Sequence, residues 1–73
     1  MRIEEVKVGD ILVAGYFGYR VVEVNVDRRI VHVQTAYKLD RRGKIVEEKK
    51  DGEHYRVSPA CFARKYFGKA VVL

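Results

Sequence analysis

Hydrophobic and polar residues alternate along residues 30–39, which is the clearest pattern in the chain. One set of alternate positions holds Val31, Val33, Thr35, Tyr37 and Leu39, and the other holds Ile30, His32, Gln34, Ala36 and Lys38. A period of two is typical of a half-buried β-strand, since successive side chains point to opposite faces of a sheet. The pattern therefore predicts a strand over 30–39 with one mainly apolar face and one mixed polar face.

Shorter apolar segments, separated by turn signals, predict four further strands over residues 11–14, 19–26, 44–49 and 53–57. In the second of these, Val22, Val24 and Val26 are expected to share a face. The segment 44–49 is short of apolar residues and reads as a charged edge strand. Three polar turns connect the last four predicted strands: Asp27-Arg28-Arg29, Asp40-Arg41-Arg42-Gly43 and Asp51-Gly52. These turns predict successive antiparallel hairpins.

One helix is predicted near the end of the chain. Ser58 is a suitable N-cap, Pro59 suits the first helical position, and Gly68 is a suitable stop. Phe62, Ala63, Tyr66 and Phe67 would form its apolar face. Residues 69–73 are expected to form a last short strand.

This order of elements predicts one mainly β domain over residues 1–73. Regular short strands with turn signals favour a small antiparallel barrel of about five strands, with one short helix before the last strand. A chain of this length can bury a single core but has little room for a separate active-site cleft.

Two segments resemble the opening of SH3-like barrels of the kind seen in KOW and Tudor-type modules. They are Val8-Gly9-Asp10-Ile11-Leu12 and Gly18-Tyr19-Arg20-Val21-Val22-Glu23-Val24. The resemblance implies a turn before the first strand, a long loop after it and a helical turn before the final strand. Members of that superfold bind RNA, DNA, ribosomes, modified histone tails or peptides, so the resemblance does not choose among these ligands.

Charge is distributed unevenly in this chain, whose formal net charge is +5. Residues 1–27 hold three Lys or Arg against five Asp or Glu, whereas residues 28–73 hold twelve against five, giving −2 and +7. A basic field favours anionic partners such as nucleic acid, although it also promotes solubility alone. Charged residues make up 34% of the chain, and only Asn25 and Gln34 are uncharged amides, a balance typical of heat-loving organisms.

The cellular location is predicted from three features that the sequence lacks: a cysteine pair, a signal peptide and a membrane-spanning segment. Cys61 is the only cysteine, so no disulfide forms within the chain, which fits a reducing cytoplasm. The charged start Met1-Arg2-Ile3-Glu4-Glu5 is unlike a signal peptide, and no apolar run approaches the roughly 18 residues of a membrane span. We expect a soluble cytoplasmic protein.

Catalytic chemistry finds little support in the sequence. Cys61 with His32 or His54 lacks a local nucleophile signature, and the expected role of Cys61 is a small buried residue packed between helix and sheet. The same three residues lack a fourth ligand and the usual spacing for a metal site. Glu47 and Glu48 are adjacent, so on a strand they face opposite ways. We therefore predict a protein that is not an enzyme and has no metal or cofactor.

Nucleic-acid binding is the first function predicted. Its phosphate and strand contacts would come from basic and polar residues: Arg28, Arg29, His32, Gln34, Lys38, Arg41, Arg42, Lys44, Arg56, Arg64 and Lys65. A strand of ten residues spans ~33 Å, so the two Arg-Arg turns should lie at opposite ends of it. DNA and RNA are both open as partners.

Aromatic residues supply the second part of this hypothesis. Tyr16, Phe17 and Tyr19 lie in or beside a predicted Gly15–Gly18 loop, where they would stack on bases or dock a peptide. The competing interpretation is that they fill an open barrel end. The alternative function is that of a protein-interaction or accessory subunit, which would use this loop and the helix face. A homodimer is one form of this alternative.

Overall fold

The computed structural model describes residues 1–67 and confirms a mainly β, antiparallel structure. Six strands follow one another as β1 (Ile11–Ala14), β2 (Phe17–Asn25), β3 (Ile30–Leu39), β4 (Ile45–Glu48), β5 (His54–Val57) and β6 (Arg64–Lys65). Short 3-10 turns cover Ile3–Glu5 and Pro59–Cys61. β1 and β3 have the predicted bounds. β2 begins two residues earlier than predicted, because Phe17 and Gly18 already pair with both neighbouring strands.

β3 is the strand on which the sheet is organised. β2 pairs along one of its edges, while the other edge is divided between β5, opposite residues 31–34, and β4, opposite residues 37–39. The remaining order is β4-β3-β2-β1-β6, which places β4 at one end as predicted for an edge strand. Among residues 1–67 the strands form an open path, so the predicted barrel closure is not confirmed.

Two hydrophobic clusters form on the two faces of this sheet. The first contains Ile3, Val6, Leu12, Val21, Val31, Val33 and Phe62. The second contains Val13, Ala36, Tyr37, Leu39 and Ile45. β1 contributes Leu12 to the first cluster and Val13 to the second, so it is buried on both faces, and each of those two side chains is less than 5% exposed. One strand therefore joins the two cores.

An irregularity in β3 separates the clusters. Tyr19 pairs with Thr35 and Gly18 pairs with Tyr37, so Ala36 is the additional residue of a bulge. A bulge reverses which face the following side chains reach. The predicted single face of β3 is therefore wrong beyond Thr35, since Tyr37 and Leu39 pack in the second cluster. The prediction that Val22 shares a face with Val24 and Val26 is wrong for the same reason. β2 has a second bulge at Val22, and the Val22 side chain is exposed.

The helix predicted from Ala60 is not formed. Ser58 does accept a hydrogen bond from the Ala60 N–H at 3.3 Å, as an N-cap should, but the turn ends at Cys61. The chain then pairs with β1, where Ala63 donates to the Val13 carbonyl and Tyr66 to that of Ile11. Pairing with the open edge of β1 outweighs helix propensity here. The predicted stop at Gly68 and the strand over 69–73 lie outside the described residues.

Candidate functional site

The second Asp-Arg-Arg sequence forms a compact turn between β3 and β4. The Asp40 carboxylate accepts hydrogen bonds from the backbone N–H groups of Arg42 at 2.8 Å and Lys44 at 2.9 Å. The bond from Lys44, followed by that from Arg42, lowers the pKa of Asp40 below its ordinary value. Gly43 adopts φ +78 and donates to the Asp40 carbonyl. The Asp40 carboxylate therefore has its hydrogen-bond partners within the turn, and the basic side chains around it face solvent.

Arg64, on β6, lies beside this turn. A β-carbon built on Gly43 would lie 2.9 Å from an Nη atom of Arg64, so the guanidinium rests against the turn backbone. We call Arg41, Arg42, Lys44 and Arg64 the basic turn cluster. All four are exposed, and within residues 1–67 none forms an ion pair with a carboxylate. The fold thus gathers cations from two segments that are 20 residues apart in sequence.

The first Asp-Arg-Arg turn joins β2 to β3 at the far end of the molecule. Asn25 accepts a hydrogen bond from the Arg28 N–H at 3.1 Å, and Arg29 adopts a left-handed backbone conformation, with φ 54. Arg29 lines a cavity of about 390 Å³ together with Arg2 and Ser58. The longest dimension of the protein is 36 Å, and β3 separates the two turns. They form separate groups of cations, as strand length predicted.

Polar residues on β3 and β5 lie between the two turns. His32 Nε2 is 2.9 Å from Nδ1 of His54, so one ring donates to the other. Gln34 donates to the Gly52 carbonyl at 3.2 Å, and Arg56 lies opposite His32. The exposed side of this strand pair thus carries His32, Gln34 and Arg56 on one continuous surface. Two of those three are also held by bonds within the protein.

Two predicted phosphate contacts have a carboxylate as a neighbour. Lys65 forms an ion pair with Asp10 at 3.2 Å, and both side chains are partly buried. Lys38 is exposed but lies between Phe17 and Glu47 in the sheet register. Neither residue joins the basic turn cluster.

The aromatic residues do not form the predicted loop. Gly15 and Tyr16 alone make the turn between β1 and β2, while Phe17 and Tyr19 belong to β2 and point to the same face. Tyr19 contacts three rings, with centroid distances of 6.5 Å to Phe17, 6.1 Å to Tyr55 and 5.6 Å to Phe62. Tyr16 remains 58% exposed. Its carbonyl accepts from the Leu39 N–H at 2.7 Å, which places it beside the start of the basic turn.

Phe17, Tyr19 and Tyr55 line a cavity of about 640 Å³ whose other lining residues come mainly from the segment 47–53. That segment holds four carboxylates and two lysines: Glu47, Glu48, Asp51, Glu53, Lys49 and Lys50. None of these four acids is among the binding residues predicted from the sequence. The signal was available, since they are four of the only five carboxylates in residues 28–73.

Cys61 is exposed, which corrects the expected burial between helix and sheet. The reason is that the helix expected to cover Cys61 is not formed, and Cys61 lines a small apolar cavity of about 180 Å³. Among residues 1–67, no three His, Cys, Asp or Glu side chains are grouped closely enough to hold a metal ion. In that same part of the chain no helix has the length and apolar character needed to cross a membrane.

Comparison with known proteins identifies no relative: the chain matches no protein-family model, no curated protein and no solved structure.

Proposed function

We propose that this protein binds the backbone of a nucleic acid through the basic turn cluster. The observation that carries the proposal is the position of Arg64 against Gly43, which adds a cation from β6 to the three on the β3–β4 turn. Clustered guanidinium groups suit phosphates, because a planar guanidinium donates two parallel hydrogen bonds to phosphate oxygens. The Asp40 hydrogen bonds order the turn before any ligand arrives.

A single stacking residue accompanies this cluster. Tyr16 is exposed and its backbone is bonded to Leu39, one residue before the basic turn. A base next to a bound phosphate would meet the Tyr16 ring, and aromatic stacking of this kind tolerates any base. Phe17 and Tyr19 take no part in this proposal, because they line the cavity that contains the carboxylates.

Arg28 and Arg29 extend the proposed interface to the other end of β3. The molecule is 36 Å long, which is close to one turn of duplex DNA at about 34–36 Å. His32, Gln34 and Arg56 lie on the strands between the two turns and would face the intervening groove. Both basic turns would then contact one duplex, one helical turn apart.

We also propose that the fold is of the SH3-like type. The 3-10 turn at Pro59–Cys61, two residues before β6, supports this, because the resemblance implies a helical turn in this part of the chain.

Fluorescence anisotropy with labelled 20-mers tests the proposed function. Single-stranded and duplex DNA and RNA are titrated with protein at rising salt. We expect binding at low salt that weakens as salt rises, because bound Lys and Arg release counterions. Lys44→Ser should reduce the slope of log K against log salt by about 0.9, the value for one lost phosphate contact on a duplex.

Lys50→Ser is the matched control, since it removes the same charge from the segment that lines the acidic cavity. It should change the salt slope much less than Lys44→Ser. The proposal is wrong if no oligonucleotide binds at low salt, or if the two lysine variants lose affinity equally.

A further inference from the structure

Two cavities adjoin on one face of β2 and β5 and share Tyr19 and Tyr55 as walls. The larger, of about 640 Å³, is lined by Phe17, Thr35 and the segment 47–53. The smaller, of about 180 Å³, is lined by the two shared tyrosines, by Cys61 and by four apolar residues: Ala14, Val33, Val57 and Phe62. We call the two cavities together the tyrosine groove. It offers one polar and one apolar compartment side by side.

The larger compartment is negatively charged although the protein as a whole is positive. It has four carboxylates against two lysines, and Lys49 lies 3.9 Å from Glu47. The basic turn cluster contributes no residue to either compartment. Carboxylates grouped beside exposed aromatic faces favour a cation and disfavour phosphate.

The hydroxyl of Tyr55 fixes one carboxylate at the ring edge. It donates a hydrogen bond of 2.6 Å to Glu53 Oε2, and this bond raises the pKa of Tyr55. Tyr55 is itself 41% exposed and stands edge-on to Tyr19 at 78°. A cation entering the groove would therefore contact the ring of Tyr55 and the carboxylate of Glu53 at the same time.

Thr35 supplies a polar group at the inner end of the larger compartment. Thr35 is only 8% exposed and forms part of the wall of this cavity. A ligand that reaches past the rings would therefore contact Thr35.

The smaller compartment fits an apolar side chain. Its walls expose almost only carbon, and a cavity of about 150 Å³ is known to hold a molecule the size of benzene. A compartment of about 180 Å³ therefore accommodates a leucine or phenylalanine side chain. Burying such a side chain removes apolar surface of both partners from water.

We propose that the tyrosine groove binds an extended basic peptide segment in which a lysine or arginine stands next to an apolar residue. The cationic side chain lies over Tyr19 and Tyr55 among the carboxylates. The neighbouring apolar side chain fills the smaller compartment. This site is independent of the proposed nucleic-acid interface, because the two share no residue.

Fluorescence anisotropy with the labelled peptide Ser-Gly-Lys-Leu-Gly-Ser tests this proposal. Two further peptides replace its lysine by glutamate or its leucine by serine. We expect the first peptide to bind, the glutamate peptide not to bind, and the serine peptide to bind more weakly. Added salt should weaken the first complex, since partly exposed charge pairs are screened.

Protein variants locate the bound peptide. Glu48→Gln combined with Glu53→Gln should weaken binding about threefold to tenfold, the range for two partly exposed charge pairs. Glu4→Gln combined with Glu23→Gln is the matched control, because it removes the same charge from exposed positions outside the groove. Tyr55→Leu should weaken binding about twofold to fivefold through the lost cation–π contact.

Cys61 gives a second readout that does not depend on affinity. Since it lines the smaller compartment, bound peptide should slow its reaction with an alkylating reagent. The proposal is overturned if no peptide binds at about 1 mM, if lysine and glutamate peptides bind equally, or if Cys61 reacts at the same rate with and without bound peptide. Lys44→Ser should leave peptide binding unchanged; a variant that loses oligonucleotide and peptide together would assign both ligands to the basic turn and also overturn the groove.

Discussion

Gly52 packs directly against the backbone of Thr35. A β-carbon on Gly52 would overlap the Thr35 carbonyl oxygen and come within 2.9 Å of the Thr35 side chain. The Gly52 carbonyl also accepts the hydrogen bond from Gln34. The β4–β5 turn is therefore pressed onto β3 at the one position where a glycine allows it.

Gly52→Ala should lower the free energy of unfolding by about 1–3 kcal/mol, because the added methyl group displaces backbone rather than a flexible side chain. Urea denaturation followed by circular dichroism measures the change. Asp51→Ala, one residue earlier and exposed, should stay within about 0.5 kcal/mol of the wild type. Equal stability of Gly52→Ala and wild type would contradict the observed packing.

Stability should fall at acid pH through Asp40. Its pKa in the folded protein lies below the ordinary value of 3.8, so the unfolded chain binds the proton more readily. The contribution is fully present above pH 3.8 and is lost as pH falls through the lower, folded pKa. Urea midpoints between pH 2 and 6 should show a smaller acid loss for Asp40→Asn than for wild type.

Asp51→Asn is the matched control for this experiment, because Asp51 is an exposed aspartate outside the β3–β4 turn. Glu5 accepts a hydrogen bond from the Arg2 N–H at 2.9 Å, which lowers its pKa in the same direction. Some acid dependence should therefore survive in Asp40→Asn. A profile identical to wild type would show that the Asp40 bonds do not form in solution.

Tyr37→Phe should cost about 0.5–1.5 kcal/mol in the free energy of unfolding. The Arg20 guanidinium donates to the Tyr37 hydroxyl at 3.0 Å and lies 5.8 Å from the ring centroid. The ring and its contact with the guanidinium remain in the phenylalanine variant, so the measurement isolates the hydrogen bond. Tyr16→Phe removes an exposed hydroxyl and should leave the urea midpoint unchanged.

Cys61 should react completely with a thiol reagent in the native protein, because it is exposed. A colorimetric thiol titration without denaturant should give one equivalent of reacted thiol per chain. Addition of urea should not increase that value. A thiol that reacts only after unfolding would place Cys61 in the buried position that the sequence predicted.

Much of the strand arrangement follows from local pattern. β1, β3 and the turn residues were predictable because apolar alternation and Asp-Arg-Arg turns act over a few neighbouring residues. The face of Tyr37 was not predictable, because the bulge at Ala36 depends on how β3 pairs with another strand, where Tyr37 lies opposite Gly18. Phe62 and Tyr66 have helical spacing, yet they pack in different clusters once the chain pairs with β1.

The arrangement of the candidate site was also predictable only in part. Strand length predicted that the two Arg-Arg turns would be separate, and the structure agrees. The proximity of Arg64 to Gly43 and of Tyr55 to Tyr19 depends on how distant segments meet in the fold. Arg64 and Tyr19 were predicted from the sequence as site residues, but the sequence does not show which residues contact them in the fold.

β3 pairs with β2 along one edge and with the two short strands β4 and β5 along the other, and this difference affects the order of folding. Its pairing with β2 is the longest in the sheet and is closed by a turn of only four residues, from Val26 to Arg29. Such a hairpin forms at low loop-closure cost, whereas β4 and β5 pair onto its β3 edge and β6 pairs only with β1. Changes at the β2–β3 turn should therefore slow refolding, whereas changes on β6 should mainly accelerate unfolding.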